Sequence, residues 1–421
     1  MSAPIAILSL QQTPPLSVSF RFFLSAPLFL LLAALVLLFS GPDALVSRWT
    51  PAMLALTHLV ALGFLSMIMI GALMQMLPVV ADAPMRRPRF VAWTVHICLV
   101  AGTAMLASGL FFSDTGLLMA AGFPLVLALG MFLIAAVYSL AGSGVSHATT
   151  RAMYFSGLAL ALTAALGIAL VGIMSGYFNL PLLAFVKLHI AWGLLGWIGL
   201  LVIGIAYQVV PMFQLTPAYP APITRWLDSA LFALLCGLSL AVWLPMPVAS
   251  GIAIGFTLFA AATLYLQKKR RRRVTDVTLQ FWRMGMFSLL AAVVLWAAAQ
   301  QISEIAESPR YPIILGMLFI FGFAVSVANG MLYKIVPFLI WLNLQSRLAK
   351  GAAIPNMKQI IPDHAARRQL RAHMATLLLL LASTAWPVLI YPAALALALA
   401  SCLLLLNLVV AARLNRKFSR L

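Results

Sequence analysis

Charge is what this sequence has least of. Only 8% of its 421 residues are charged, and just eight of those are acidic, whereas 64% are apolar. A chain so poor in charge cannot coat itself for water, so a soluble globular domain is excluded and a polytopic membrane protein is implied. Cysteine is nearly absent too. Cys98, Cys236 and Cys402 stand singly with no C-x-x-C pair, which excludes a disulfide framework or a thiolate metal cage. They are expected to be small buried apolar side chains. The first nineteen residues carry no Lys or Arg and the first apolar stretch is full length, which argues against a cleavable signal peptide. The sequence also has no phosphate loop, zinc signature or nucleophile–base pair.

What the sequence has in abundance is long apolar runs. Twelve can be drawn, at 20–41, 52–80, 90–112, 116–141, 153–177, 183–213, 226–246, 248–266, 283–302, 311–340, 371–389 and 391–412. Each suits a hydrocarbon core of roughly 30 Å. The net charge of +19 lies almost wholly in alternate connections: Arg86, Arg87, Arg89, Arg151, Arg225, the run Lys268–Arg273, six residues between Arg347 and Arg371, and Arg413, Arg416, Lys417 and Arg420. The other side has Arg48, Lys187 and Arg310, with Asp43, Asp114, Glu304 and Glu307. This asymmetry places both termini in the cytoplasm, as expected of a multi-pass protein of a bacterial-type inner membrane. The partner of the basic residues is then membrane lipid and not nucleic acid, and the run Lys268–Arg273 reads as an orientation signal.

A motif recurs three times. Gly63, Gly196 and Gly322 are each followed by an aromatic residue, Phe64, Trp197 or Phe323. Eight residues after each glycine comes Gly71, Gly204 or Gly330, then a polar side chain, Gln75, Gln208 or Lys334, then Pro78, Pro211 or Pro337. The copies lie 133 and 126 residues apart, with four apolar spans to each interval. The expected fold is therefore all-α, with twelve transmembrane helices in three pseudo-symmetric four-helix units at about 20–141, 153–266 and 283–412 of a single membrane domain, 1–421. Glycines eight apart are expected on nearly one face, giving neighbouring helices a close approach. The proline is expected to close each helix, and Lys334 to extend its stem to headgroup water.

The histidines sort by depth. His147 and His364 fall in connections, and His96 and His373 at the cytoplasmic ends of their spans. His58 and His189 alone fall in the outer half, each about 9 Å along equivalent helices. An imidazole in hydrocarbon is costly, and neutral imidazole is a common metal ligand, so both are candidate ligands.

Three four-helix units with histidines on the outer part of the second and sixth spans resemble the catalytic subunit of the haem-copper oxidases. The pattern of His58, Gly63, Phe64, Gly71, Gln75 and Pro78 is similar to that of the NnrS family of membrane haem and copper proteins. That resemblance implies a haem cofactor, with copper as a second candidate, and a role in respiratory redox or nitric oxide stress handling and denitrification. It implies ligand roles for His58 and His189. Met317 stands where His58 stands in its own copy, five residues before the glycine, and is a candidate second axial ligand. Arg48, Lys187 and Arg310 stand at the starts of the three repeat helices, and Arg48 and Arg310 are candidates to pair with haem propionates. The chain departs from the NnrS pattern H-x-H-E-M at Leu56 and Leu59. Its six histidines, two of them in connections, do not furnish the set that two haems and a copper require, so a complete terminal oxidase is not expected. Two other readings are a membrane transporter or copper permease, for which Met67, Met69, Met74 and Met76 would be soft ligands, and a cofactor-free assembly subunit.

Overall fold

The structure is a computed structural model that describes residues 14–418 except 81, 83, 142–146, 241–246, 272–273, 275 and 348–354. The N-terminal segment read for a signal peptide, residues 241–246 of the seventh apolar run, and Arg272, Arg273, Lys350 and Arg420 of the basic clusters lie wholly or mainly outside the described residues. Every element among the described residues is helical. The long helices are α1 (Leu16–Ser40), α2 (Pro51–Val80), α3 (Pro88–Phe112), α4 (Thr115–Ala141), α5 (Ala148–Met174), α6 (Leu182–Gln214), α7 (Ala221–Leu240), α8 (Pro247–Lys268), α9 (Val277–Ala299), α10 (Tyr311–Arg347), α11 (Asp363–Ser383) and α12 (Ile390–Phe418).

Eleven of these helices are long and apolar enough to cross a membrane. The architecture is that of an all-helical, multi-pass membrane protein. α11 does not qualify, although the apolar run 371–389 reads as a span. Its first half carries Asp363, Arg367, Arg368 and Arg371, and the helix stops at Ser383, before a turn and a short 3-10 stretch at Pro387–Leu389. The apolar part, residues 371–383, covers only about 20 Å at helical rise.

The chain divides into two compact units. One comprises Met1–Phe22, Ser66–Gly109 and Asp114–Leu266; the other comprises Phe23–Leu65, Leu110–Ser113 and Gln267–Leu421. In the first, α5 packs on α6 and α4 on α5, and Arg151 of α5 reaches across to α7. Its guanidinium donates to both oxygens of Asp228, at 2.8 and 2.6 Å, and to the carbonyl of Thr224. Asp228 is fully buried, and this two-point clamp supplies the partners a carboxylate needs in an apolar setting. In the second unit, α9 packs on α10 and α11 on α12. Asp276 caps α9 by accepting from the Leu279 amide, and its other oxygen holds Lys334 at 2.9 Å. Lys334 therefore does not extend to headgroup water as its position suggests; an acidic helix cap meets it first.

The three motif-bearing helices, α2, α6 and α10, have the most buried apolar windows, 61%, 56% and 56%, against 50% or less in the other eight. All six motif glycines are buried. A side chain on Gly63 would strike Phe29 of α1, one on Gly196 would strike Ala159 of α5, and one on Gly322 would strike Ser288 of α9. Gly204 meets Ala152 and Gly330 meets Phe281 in the same way. In both later copies, glycines eight residues apart thus contact positions seven residues apart on the preceding helix.

That mismatch has a structural cause. Each motif helix is π-helical around its first glycine, over Leu59–Ser66, Ala191–Leu200 and Met317–Val325. Seven residues of a regular α-helix return to within about 20° of one face, whereas eight overshoot by about 80°. In the two later copies the wide π turn absorbs the additional residue and brings both glycines onto the packed face. There the expectation that glycines eight apart share a face holds because of the π segment, and regular helical geometry would not deliver it.

Two further expectations are corrected. Pro78, Pro211 and Pro337 lie inside their helices, and α10 runs on to Arg347 after Pro337. In a packed apolar setting neighbouring groups can satisfy the carbonyl that a proline leaves, so the helix need not stop. The cysteines are free, but Cys98 and Cys236 are half-buried and Cys402 is exposed; as outward-facing apolar side chains they would suit lipid contact.

A paired substitution tests the close contact. Gly204→Ala should destabilise the purified protein by about 1–3 kcal/mol through overpacking against Ala152, and adding Ala152→Gly should recover much of the loss. Gly130→Ala, where nothing lies within 4 Å, should cost nothing measurable. Denaturant unfolding in detergent reads all three.

Candidate functional site

The residues singled out by the motif stand where the π segments begin. Thr50 caps α2 by accepting from the Met53 amide at 3.2 Å, and Pro51 follows in the first turn, where its missing N–H is no loss. This start places His58 two turns along, as the last residue before the π segment Leu59–Ser66. His189 stands two residues before Ala191, and Met317 is itself the first residue of Met317–Val325.

His58 is half-buried, and its Nδ1 lies 2.8 Å from the carbonyl oxygen of Leu54 in its own helix. A carbonyl only accepts, so Nδ1 carries the proton and the ring is fixed in one tautomer and orientation. Metal-bound histidines usually have this arrangement, one ring nitrogen donating to a carbonyl or carboxylate while the other serves as the ligand atom. His189 donates across a helix interface instead. Its Nδ1 lies 3.0 Å from the Thr163 carbonyl of α5, and its ring lies close against Gly167, where an added Cβ would come within 3.2 Å of Cε1. That bond holds α5 to α6, so His189 already has a packing role.

Met317 is half-buried. The Arg48 guanidinium lies 4.8 Å above the Trp49 ring, while Lys187 and Arg310 are exposed. His58, Met317, Arg48 and Arg310 belong to one unit and His189 to the other. Among the described residues, no group of three or more His, Cys, Asp or Glu side chains is placed to hold a metal ion. A recess of about 390 Å³ lies at the head of α2, lined by Phe39, Asp43, Thr50 and Phe111 among others, with His58 about two turns deeper along the helix.

The most complete polar constellation surrounds a histidine that sequence position assigns to a helix end. His373 of α11 is buried, with its Nε2 2.9 Å from Ser326 Oγ and its Nδ1 3.5 Å from Asn329 Nδ2. Ser326 Oγ also lies 3.3 Å from the carbonyl of Phe321 in the third π segment. One assignment satisfies the chain of bonds: the Asn329 amide donates to Nδ1, Nε2–H donates to Ser326, and the serine hydroxyl donates to the Phe321 carbonyl. Phe321 stacks on the imidazole at 4.4 Å, and Phe281 lies tilted at 5.4 Å. A sequence signal existed: Ser326 and Asn329 are polar, three residues apart, within an otherwise apolar span. Asp228 was similarly legible as an acidic residue within an apolar run.

No protein-family model and no curated protein matches this chain.

Ser326→Ala should cost about 1–3 kcal/mol by leaving the buried imidazole N–H without its acceptor. The same change in a His373→Phe background should cost clearly less, because the two residues act in one network. Additive losses in denaturant unfolding would show that the serine and histidine are energetically separate.

Proposed function

We propose that this chain is an inner-membrane haem-binding protein, with copper as a second candidate metal, and that it acts in respiratory redox or nitric oxide handling in the manner of the NnrS and haem-copper oxidase families it resembles. The observation that carries this reading is His58, with its Nδ1 tied to the Leu54 carbonyl at the start of a π segment. An imidazole so oriented fits the role of an axial ligand. Met317 holds the same motif position in the third copy and would be the second axial ligand. Arg48 and Arg310 would meet propionates, and His189, in the other unit, would serve a separate copper. Bound haem would supply one-electron redox chemistry. The chain's own residues would hold it, orient the imidazole through Leu54 and exclude water.

The proposal includes twelve spans in three four-helix units with both termini cytoplasmic, α11 being a short span whose charged first half stays at the cytoplasmic boundary. Three π segments in one register support the threefold repeat, since π-helix is rare and an accidental coincidence of position three times over is improbable. The permease reading gains little, because Met67, Met69 and Met74 are buried in the core, as packing methionines are.

His58→Ala should abolish or shift the haem absorption spectrum of the purified protein while the folded protein remains in the membrane. Met317→Leu, which nearly preserves volume, should change the spectrum if the methionine is a ligand. His189→Ala should lower the copper content. A His58→Ala protein with wild-type spectrum and cofactor content would make His58 a structural residue. For orientation, cysteines introduced at Lys268–Arg271 should be protected from impermeant reagents in intact cells and those at Glu304–Arg310 labelled; the reverse pattern would invert the topology.

A further inference from the structure

Two polar atoms beside His373 are buried and without a hydrogen-bond partner among the described residues. Asn329 is fully buried with no such partner at Oδ1, and Gln369, 1% exposed, has none at Oε1. Both flank the same imidazole. Asn329 is in contact with Nδ1, and Gln369 precedes His373 by four residues, hence on the same face of α11. Turning the Asn329 amide over would leave Nδ2 unsatisfied in place of Oδ1, so the shortfall belongs to the place and not to the assignment. A third atom, the buried Nε1 of Trp282 on α9, is a donor without an acceptor among the described residues, and the ring edge of Trp282 lies against Gly330, the residue after Asn329. Away from water, each such group carries a substantial cost.

We propose that Asn329, Gln369 and Trp282 form an internal site, beside His373, for one water-sized hydroxylic molecule, in practice water. The chemistry of the three atoms selects it. Two acceptors require a molecule with two donors, and the indole N–H requires the same molecule to accept. Water provides both and is commonly held by two to four such partners. Ammonium has donors only and would leave the indole unsatisfied. The site is independent of the haem reading, and it gives the buried imidazole a hydrogen-bonded neighbour on its Nδ1 side while Ser326 occupies Nε2.

Two measurements test this. A wild-type map at a resolution that shows ordered water should have density within hydrogen-bond distance of Asn329 Oδ1 and Gln369 Oε1; a dry site in such a map overturns the proposal. Gln369→Met, which preserves shape, and Trp282→Phe should each lower the thermal midpoint by several degrees, and the double variant should lose less than the sum, because both side chains hold one molecule. Gln369→Met at or above the wild-type midpoint would mean an apolar side chain is preferred there, contrary to the proposal. Greater stabilisation of the wild type by ammonium chloride than by sodium chloride at equal concentration would assign the site to a cation and overturn the hydroxylic class.

Discussion

The fold rests on glycine-to-helix contact, and that contact rests on the π turn. Gly196 and Gly204 sit on Ala159 and Ala152, and Gly322 and Gly330 on Ser288 and Phe281; the stagger of eight residues against seven is the same in both. In lipid no hydrophobic force draws helices together, so close van der Waals approach must do much of that work. A β-carbon at these positions would strike the facing helix, and without the π turn the second glycine would rotate off the face. The motif is thus a packing device first. Its three copies mark the three helices with the most buried apolar windows.

The same device has a chemical side effect. A π segment redirects side chains and carbonyls where it begins and ends. His58, His189 and Met317 lie at or just before the starts of the three segments, and just past the end of the third the Ser326 hydroxyl reaches back to the Phe321 carbonyl and meets His373. Part of the polar chemistry of this apolar chain thus lies beside the irregular turns, where regular helical bonding is already disturbed, while the pairs Arg151–Asp228 and Lys334–Asp276 lie elsewhere.

Composition and the motif made much of this legible. The absence of charge required membrane helices, and glycines facing a neighbour followed from the repeated small residues. Regular periodicity could not reveal the π turns, because the amino acids in them are as apolar as their neighbours; only the eight-residue glycine spacing, one longer than two regular turns, betrayed them. Lys334 read as snorkelling because its partner, Asp276, lies 58 residues away and is recognisable only as a helix cap. His373 read as peripheral because the first half of α11 carries Arg367, Arg368 and Arg371, although the middle of the helix carries the ring into a buried network. His58 and His189 looked equivalent in sequence, yet one bonds its own helix and the other a neighbour, a distinction set by the facing residue Thr163.

The functional reading depends on whether the imidazole of His58 is oriented for a metal or merely satisfied by its own helix. The visible absorption spectrum of wild-type protein, purified from membranes in detergent alongside iron and copper analysis, addresses this most directly. The account predicts a Soret band with iron in stoichiometric amount. A colourless, well-folded protein expressed with ample haem and carrying no iron would contradict it.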